Sequence, residues 1–157
     1  MKPILLTFLI TLILGRCTES NVLTNADTTD ALTIRTGTSF GMCVGYCQND
    51  YVFTGTSATL TQNGTRTQAQ SPTRTCQTII SPAEWETLKS LTNIDTFSSK
   101  AETLGCPDCA DGGAEYIELQ AGDRKHRVTF EYNKTILGFE PLVDALRKRR
   151  EAFKECK

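Results

Sequence analysis

Seven cysteines in a chain of 157 residues constrain this protein more than any other feature. An odd number cannot pair completely. A density this high in a short chain points to an oxidising, extracytoplasmic home rather than the cytosol, where thiols stay reduced. Parity sets one cysteine apart, and Cys17 is the natural choice because it follows directly on a targeting segment. That segment opens with Lys2 and continues through residues 4–14, an apolar run interrupted only by Thr7 and Thr11. It has the layout of a secretory signal peptide. Eleven residues are too few for a membrane-crossing helix, which takes about 20. Nothing later in the chain is long or apolar enough, so no transmembrane helix is expected.

Leu14-Gly15-Arg16-Cys17 resembles the lipobox of bacterial lipoproteins, in which the cysteine becomes the lipidated N-terminus. Arg16 departs from the pattern, which usually has a small residue there. The resemblance implies that residues 1–16 are a lipoprotein signal peptide, that Cys17 carries the lipid, and that a membrane is a partner through that lipid. An ordinary signal peptide cut nearby, for instance after Ser20, would discard Cys17 and give a secreted protein. Both routes leave Cys43, Cys47, Cys76, Cys106, Cys109 and Cys156, an even set. Six cysteines allow fifteen connectivities. Short-range closure favours Cys43 with Cys47 and Cys106 with Cys109, leaving Cys76 to staple Cys156 and tie the last helix to the sheet.

Residues 17–30 are polar and without periodicity, as a tether should be. Residues 31–157 then read as one disulfide-containing domain. Strand alternation runs through Leu32 and Ile34 and again through Tyr51 and Phe53, with the loop 37–45 between them. Asn63-Gly64 between threonine-rich flanks is a hairpin-turn signal, and 75–80 reads as a further strand. Ser81-Pro82-Ala83-Glu84 is a capping box, opening a helix through Trp85 and Leu88 that ends near Asn93. A loop over 95–113 follows. Residues 116–121 and 124–132 form strands across Gly122-Asp123, with Ile117 and Leu119 on one face and Val128 and Phe130 likewise. Residues 141–155 make a final helix whose apolar side carries Leu142, Val143, Leu146 and Phe153. This order predicts the α+β class: an antiparallel or mixed sheet with two helices packed on one face, reinforced by disulfides.

Chemistry-bearing motifs are few. Cys106-Pro107-Asp108-Cys109 has the CxxC spacing of thiol–disulfide oxidoreductases, but it lies late in the chain, opens no long helix, and has Asp108 and Asp111 beside it to disfavour a thiolate. A local structural disulfide is the plainer reading, with a redox pair as the alternative. Four thiolates from Cys43, Cys47, Cys106 and Cys109 could in principle hold zinc, but such sites belong mainly to reducing compartments. Asp108, Asp111 and Glu115 do not follow the order of a calcium loop, and the favoured reading there is a tight acidic turn. His126 shares strand parity with Val128 and reads as a hydrogen-bonded residue at the edge of the buried face. No nucleophile stands in a motif with a base, so neither a catalytic set, a metal nor a cofactor is nominated. From Ala121 onward ten basic residues face six acidic ones. The run Arg147-Lys148-Arg149-Arg150 reads as a solvated helix face, or alternatively as a site for an anionic partner; nucleic acid is not expected for an exported chain.

Phe40-Gly41-Met42-Cys43-Val44-Gly45-Tyr46-Cys47, together with Asp111-Gly112-Gly113-Ala114-Glu115-Tyr116-Ile117, resembles motifs of small lipoproteins and secreted proteins from Bacteroidota. The resemblance implies the compartment and a single domain, and suggests that the two motifs are neighbours in space. The expected function is a lipid-anchored, non-enzymatic binding domain of the bacterial cell envelope, facing an envelope protein or an external ligand.

Overall fold

The computed structural model describes residues 32–64 and 72–153. In chain order the elements are β1 (Thr33–Ser39), β2 (Tyr46–Thr54), β3 (Ser57–Gly64), β4 (Arg74–Ile79), α1 (Pro82–Ser90), α2 (Ile94–Ser98), β5 (Thr103–Leu104), β6 (Ala114–Ala121), β7 (Arg124–Glu131) and α3 (Glu140–Glu151). The strands form one seven-stranded sheet in the order β4-β3-β2-β1-β6-β7-β5. Every pairing is antiparallel except β5 with β7, so the sheet is mixed and the class is α+β. The expected residues 1–16, the tether at 17–30, and Cys17 and Cys156 lie outside the described residues.

Register decides which side chains meet. Ile34 pairs with Phe53 on one side and Leu119 on the other, and Ile117 pairs with Val128, so these side chains share one face. They join Leu88 of α1, Phe97 of α2, and Leu142, Val143 and Leu146 of α3 in a single buried cluster. Each fully buried Phe or Leu contributes about 1.5–3 kcal/mol by leaving water, which makes this cluster the main source of stability. The intervening residues Arg35, Asp50, Tyr116, Glu118 and Arg127 occupy the opposite face, as a strand period of two requires.

Local signals explain most boundaries. The capping box forms as written: the Glu84 N–H donates to Ser81 Oγ at 3.2 Å, and the Ser81 N–H donates to Glu84 Oε2 at 2.7 Å. Gly122-Asp123 joins β6 to β7 with Ala121 opposite Arg124. The His126 ring meets the Lys100 carbonyl through Nε2 at 2.8 Å, at the edge of the buried side.

Three expectations need correction. Asn63-Gly64 is not a hairpin turn: it ends β3, Gln62 pairs with Arg74, and the two-residue turn is Gly55-Thr56, between Thr54 and Ser57. Gly55 there takes φ +56°, which suits it to the turn. Next, 95–113 is no plain loop. Asn93 caps α2, its Oδ1 accepting from the Thr96 N–H at 2.9 Å, and a third helix thereby joins the two foreseen. Finally, β1 runs on through Gly37 to Ser39, which shortens the loop before β2.

Gly37 is fixed by contact rather than by torsion. Tyr116, directly opposite on β6, lays its ring over it, and a Cβ at position 37 would stand 2.5 Å from both Tyr116 Cε1 and the Asn49 carbonyl oxygen. Gly37→Ala is expected to lower the stability by about 2 kcal/mol, the usual cost of an overpacked contact. Urea denaturation of both proteins would measure it, and an unchanged midpoint would show that the sheet yields there without cost.

Candidate functional site

The sheet register brings three connections to one end of the molecule. Ser39 is opposite Ala114, and Ala114 is opposite Glu131, so the segments 40–45, 105–113 and 132–139 begin or end side by side. The two cysteine motifs thereby become neighbours. The Gly41 N–H donates to Asp108 Oδ2 at 3.1 Å, and the Gly113 N–H donates to Asp108 Oδ1, also at 3.1 Å. One carboxylate joins both loops. Phe40 packs edge-on against Tyr132 with ring centroids 4.9 Å apart, and the chain passes so close that a Cβ on Gly113 would lie 2.3 Å from the Phe40 ring.

Covalent closure rigidifies each loop. Cys43 is bonded to Cys47 and Cys106 to Cys109, as short-range closure favoured. Cys76 is disulfide-bonded and half-buried against the core, while its expected partner Cys156 lies outside the described residues. The 105–113 loop also holds Asp108, Ala110 and Asp111 at φ 59°, 51° and 58°, a conformation that L residues adopt at some cost. That cost positions the Asp108 carboxylate on the two amides. Asp108 is therefore a brace between loops, and Asp111 is an exposed residue of a single 3₁₀ turn, Cys109–Asp111. Among the described residues no group of three His, Cys, Asp or Glu side chains is arranged to hold a metal ion. Cys109 opens no long helix whose dipole could stabilise a thiolate, and the Cys106 N–H already donates to Glu131 Oε1 at 2.9 Å. On the outer side of this end Met42 and Val44 are 79% and 87% exposed.

The basic run on α3 is where the structure departs most from expectation. It is neither a simple solvated face nor a ready patch of free cations. Arg147 donates through Nη2 to Glu115 Oε1 at 2.7 Å, and Arg150 donates through Nη2 to Glu115 Oε2 at 2.5 Å. Arg149 pairs across to Glu84 of α1 at 2.5 Å. Lys148 is the exposed member. Helical spacing separates these roles: residues 147 and 150 share the side that meets the sheet, while 148 and 149 turn away from it.

Glu115 is the residue that sequence reasoning missed, although a signal was present. It shares strand parity with Ile117 and Leu119, and a carboxylate in phase with a buried face requires a cation. The side chain is 2% exposed, and Oε1 accepts a further hydrogen bond from the Asn133 N–H at 2.9 Å. Burial by itself would raise its pKa. Hydrogen bonds from Arg147, the Arg150 charge and the Asn133 amide outweigh that penalty and hold the carboxyl below its usual range. On the opposite face Glu118, 3% exposed, stands among Arg35, Lys125 and Arg127, and the Arg127 guanidinium stacks 4.0 Å above the Tyr116 ring. Burial, reinforced by the hydrogen bond to Asp50, pushes the Tyr116 phenol above its ordinary value.

Between α3 and the clamped end lies an open cleft of about 490 Å³, whose lining includes Phe40, Tyr51, Tyr132, Arg147, Arg150 and Glu151. Its volume falls within the range of small-ligand sites, but its lining is more polar than is usual for them, with three aromatic rings beside six polar or charged residues. No protein-family model matches this chain, and no curated protein matches it either.

Two results would test this geometry. Asp108→Ala removes the acceptor of two amides and places alanine in a left-handed conformation, so stability should fall by about 1–3 kcal/mol. Amide exchange at Gly41 and Gly113 should then accelerate, while Asp108→Asn, which tolerates that conformation but keeps one acceptor oxygen for the two amides, should have an intermediate effect. For Glu115 the sign follows from its lowered folded pKa: its contribution is complete above the ordinary value of 4.5 and is lost as pH falls toward the folded value. Glu115→Gln should cost about 3 kcal/mol at neutral pH and flatten the loss of stability below pH 4.5, as followed by circular dichroism.

Proposed function

We propose that this chain is a lipid-anchored extracytoplasmic domain of the bacterial cell envelope that binds a partner or ligand through its disulfide-clamped end. The observation that carries the binding part is the convergence there of two cross-braced, disulfide-closed loops with exposed Met42 and Val44 beside an aromatic and arginine-walled cavity. Rigid loops lose little entropy on binding, which favours recognition over a merely structural role. The disulfides support an oxidising compartment. Lipidation at Cys17, anchoring through that lipid and the likeness to Bacteroidota lipoproteins rest on the sequence motifs. Among the described residues no helix is long and apolar enough to cross a membrane. In the same reading the helices pack on a single face of the sheet, so that they leave the clamped end open to a partner. The thiol–disulfide alternative is less favoured, because the CPDC loop is flanked by Asp108 and Glu131 and has no helix dipole behind it.

The anchor is tested by intact mass and fractionation. Wild-type protein should carry a diacyl or triacyl mass and sediment with membranes, whereas Cys17→Ser should be unacylated and soluble; equal acylation of both would overturn the assignment. The binding end is tested by placing a photo-crosslinking residue at position 44 and, as a control, at position 79, whose isoleucine is 85% exposed far from the loops in the chain. Adducts in intact cells are expected at position 44 and not at position 79, and indistinguishable patterns would reject this end as the contact surface.

A further inference from the structure

Glu151 lines the cleft together with Arg147 and Arg150, and Glu115 stands behind them, so two cations meet two carboxylates and their charges cancel. Net charge therefore selects neither an anion nor a cation. What the walls do offer is a mixture of hydrogen-bonding groups, and the sheet register arranges part of it. Thr38 is opposite Asn49 and Asn49 opposite Gln62, on the helix side of the sheet in the row that follows Tyr51 and Leu60. Gln62 Nε2 donates to Asn49 Oδ1 at 2.8 Å, and Asn49 Nδ2 donates to Thr38 Oγ1 at 3.3 Å. That direction of donation leaves the Thr38 hydroxyl its own proton to give, in a residue that lines the cleft.

A phenol and an amide in the same walls remain to be satisfied. Tyr51 is half-buried, which pushes its pKa up despite the nearby Arg150 charge, and no hydrogen bond to a described residue offsets that burial. Asn133 takes φ +62°, which asparagine tolerates, and gives its backbone N–H to Glu115; its side-chain amide, which bonds no described residue, lines the cleft. Beside them Tyr132 is 37% exposed and held by its edge contact with Phe40. Those two rings meet at 69°, so they do not form the parallel slot that would grip a flat heteroaromatic ring.

We infer that this cleft binds a neutral saccharide, with one pyranose ring against Tyr132 and its hydroxyls on Thr38, Asn133 and Tyr51. A sugar hydroxyl both donates and accepts, so it satisfies a donor such as Thr38 and an acceptor such as the Asn133 side-chain carbonyl without a fixed pattern. The C–H groups on one face of a pyranose supply the apolar surface that an exposed ring covers best. A lining with more polar groups than rings suits such a molecule better than an apolar one, and the balance of charge favours an uncharged sugar. The inference rests on the clamped end being the binding surface, and adds the class of ligand and the side chains that read it.

The test uses the purified mature chain with neutral disaccharides built on glucose, galactose, mannose and N-acetylglucosamine. A uronate-containing disaccharide, acyclic sorbitol and tetraalanine serve as the charged, ring-free and peptide comparisons. Amide chemical shifts and calorimetry should show at least one neutral disaccharide binding with a Kd of about 1 mM or tighter, a level that a ligand of this size can reach. The uronate should bind no tighter than the best neutral disaccharide, and sorbitol and tetraalanine about tenfold more weakly or not at all. Tyr132→Ala, at a side chain that touches none of the Glu115 network, should weaken the disaccharide about tenfold in a protein whose melting temperature is little changed. Tyr132→Phe keeps the ring and should stay within about threefold of wild type. Thr38→Val removes one donor at a strand position that accepts valine, and should weaken binding by about three- to tenfold. Absence of saturable binding across the neutral panel, tighter binding of the uronate, equal or tighter binding of sorbitol or tetraalanine, an equal loss in Tyr132→Phe and Tyr132→Ala, or indifference to both Tyr132→Ala and Thr38→Val would each overturn the inference. Crosslinking at position 44 that persists despite such a failure would leave the binding end in place and remove only this ligand class.

Discussion

The buried carboxylate of Glu115 is the point on which the functional end of the molecule depends. It sits on β6 in phase with the core, where an unpaired charge would be prohibitively costly, and it is rescued by two arginines a turn apart on α3. The pairing fixes the last helix against the first residues of β6. It also sets the position of the cavity wall, because Arg147 and Arg150 are at once the partners of Glu115 and part of that wall. A hydrophobic substitute could be equally stable, as buried ion pairs often are not net stabilising.

The Cys43–Cys47 and Cys106–Cys109 disulfides act on the same end by a different route. Each closes a short loop within itself, so neither ties distant parts of the described chain together. Long-range order comes instead from Asp108, whose single carboxylate receives amides from both loops, and from Phe40 lodged between Gly113 and Tyr132. The strained backbone at Asp108, Ala110 and Asp111 is sustained because the disulfide and these contacts leave the loop few alternatives. Local closure and one shared carboxylate thus convert two surface loops into a rigid unit.

Much of the fold was legible where the signal is local. The capping box at Ser81, the Gly122-Asp123 turn, the alternation of Ile117 and Leu119, and the two short cysteine pairs all involve residues within a few positions of each other, so their physics is written in adjacent letters. Asn63-Gly64 misled because its turn preference competes with pairing to β2, whose nine residues give β3 a template to extend along. The pairing within the Arg147–Arg150 run was not legible for a similar reason. Composition counts charges, but only the direction of each side chain says whether a cation meets water, Glu84 or Glu115.

The sequence by itself determined the α+β class, the strand faces and the pairing of neighbouring cysteines, because hydrophobic period, capping and short loop closure act over a few residues. Only the tertiary structure decided that the two motif loops share Asp108, and that Glu115 on β6 meets Arg147 and Arg150 on α3. The contacts of Gly41 with Asp108 and of Glu115 with both arginines join residues more than thirty positions apart. Their existence depends on sheet register and helix docking, which are settled by the packing of the whole core rather than by any segment of the chain.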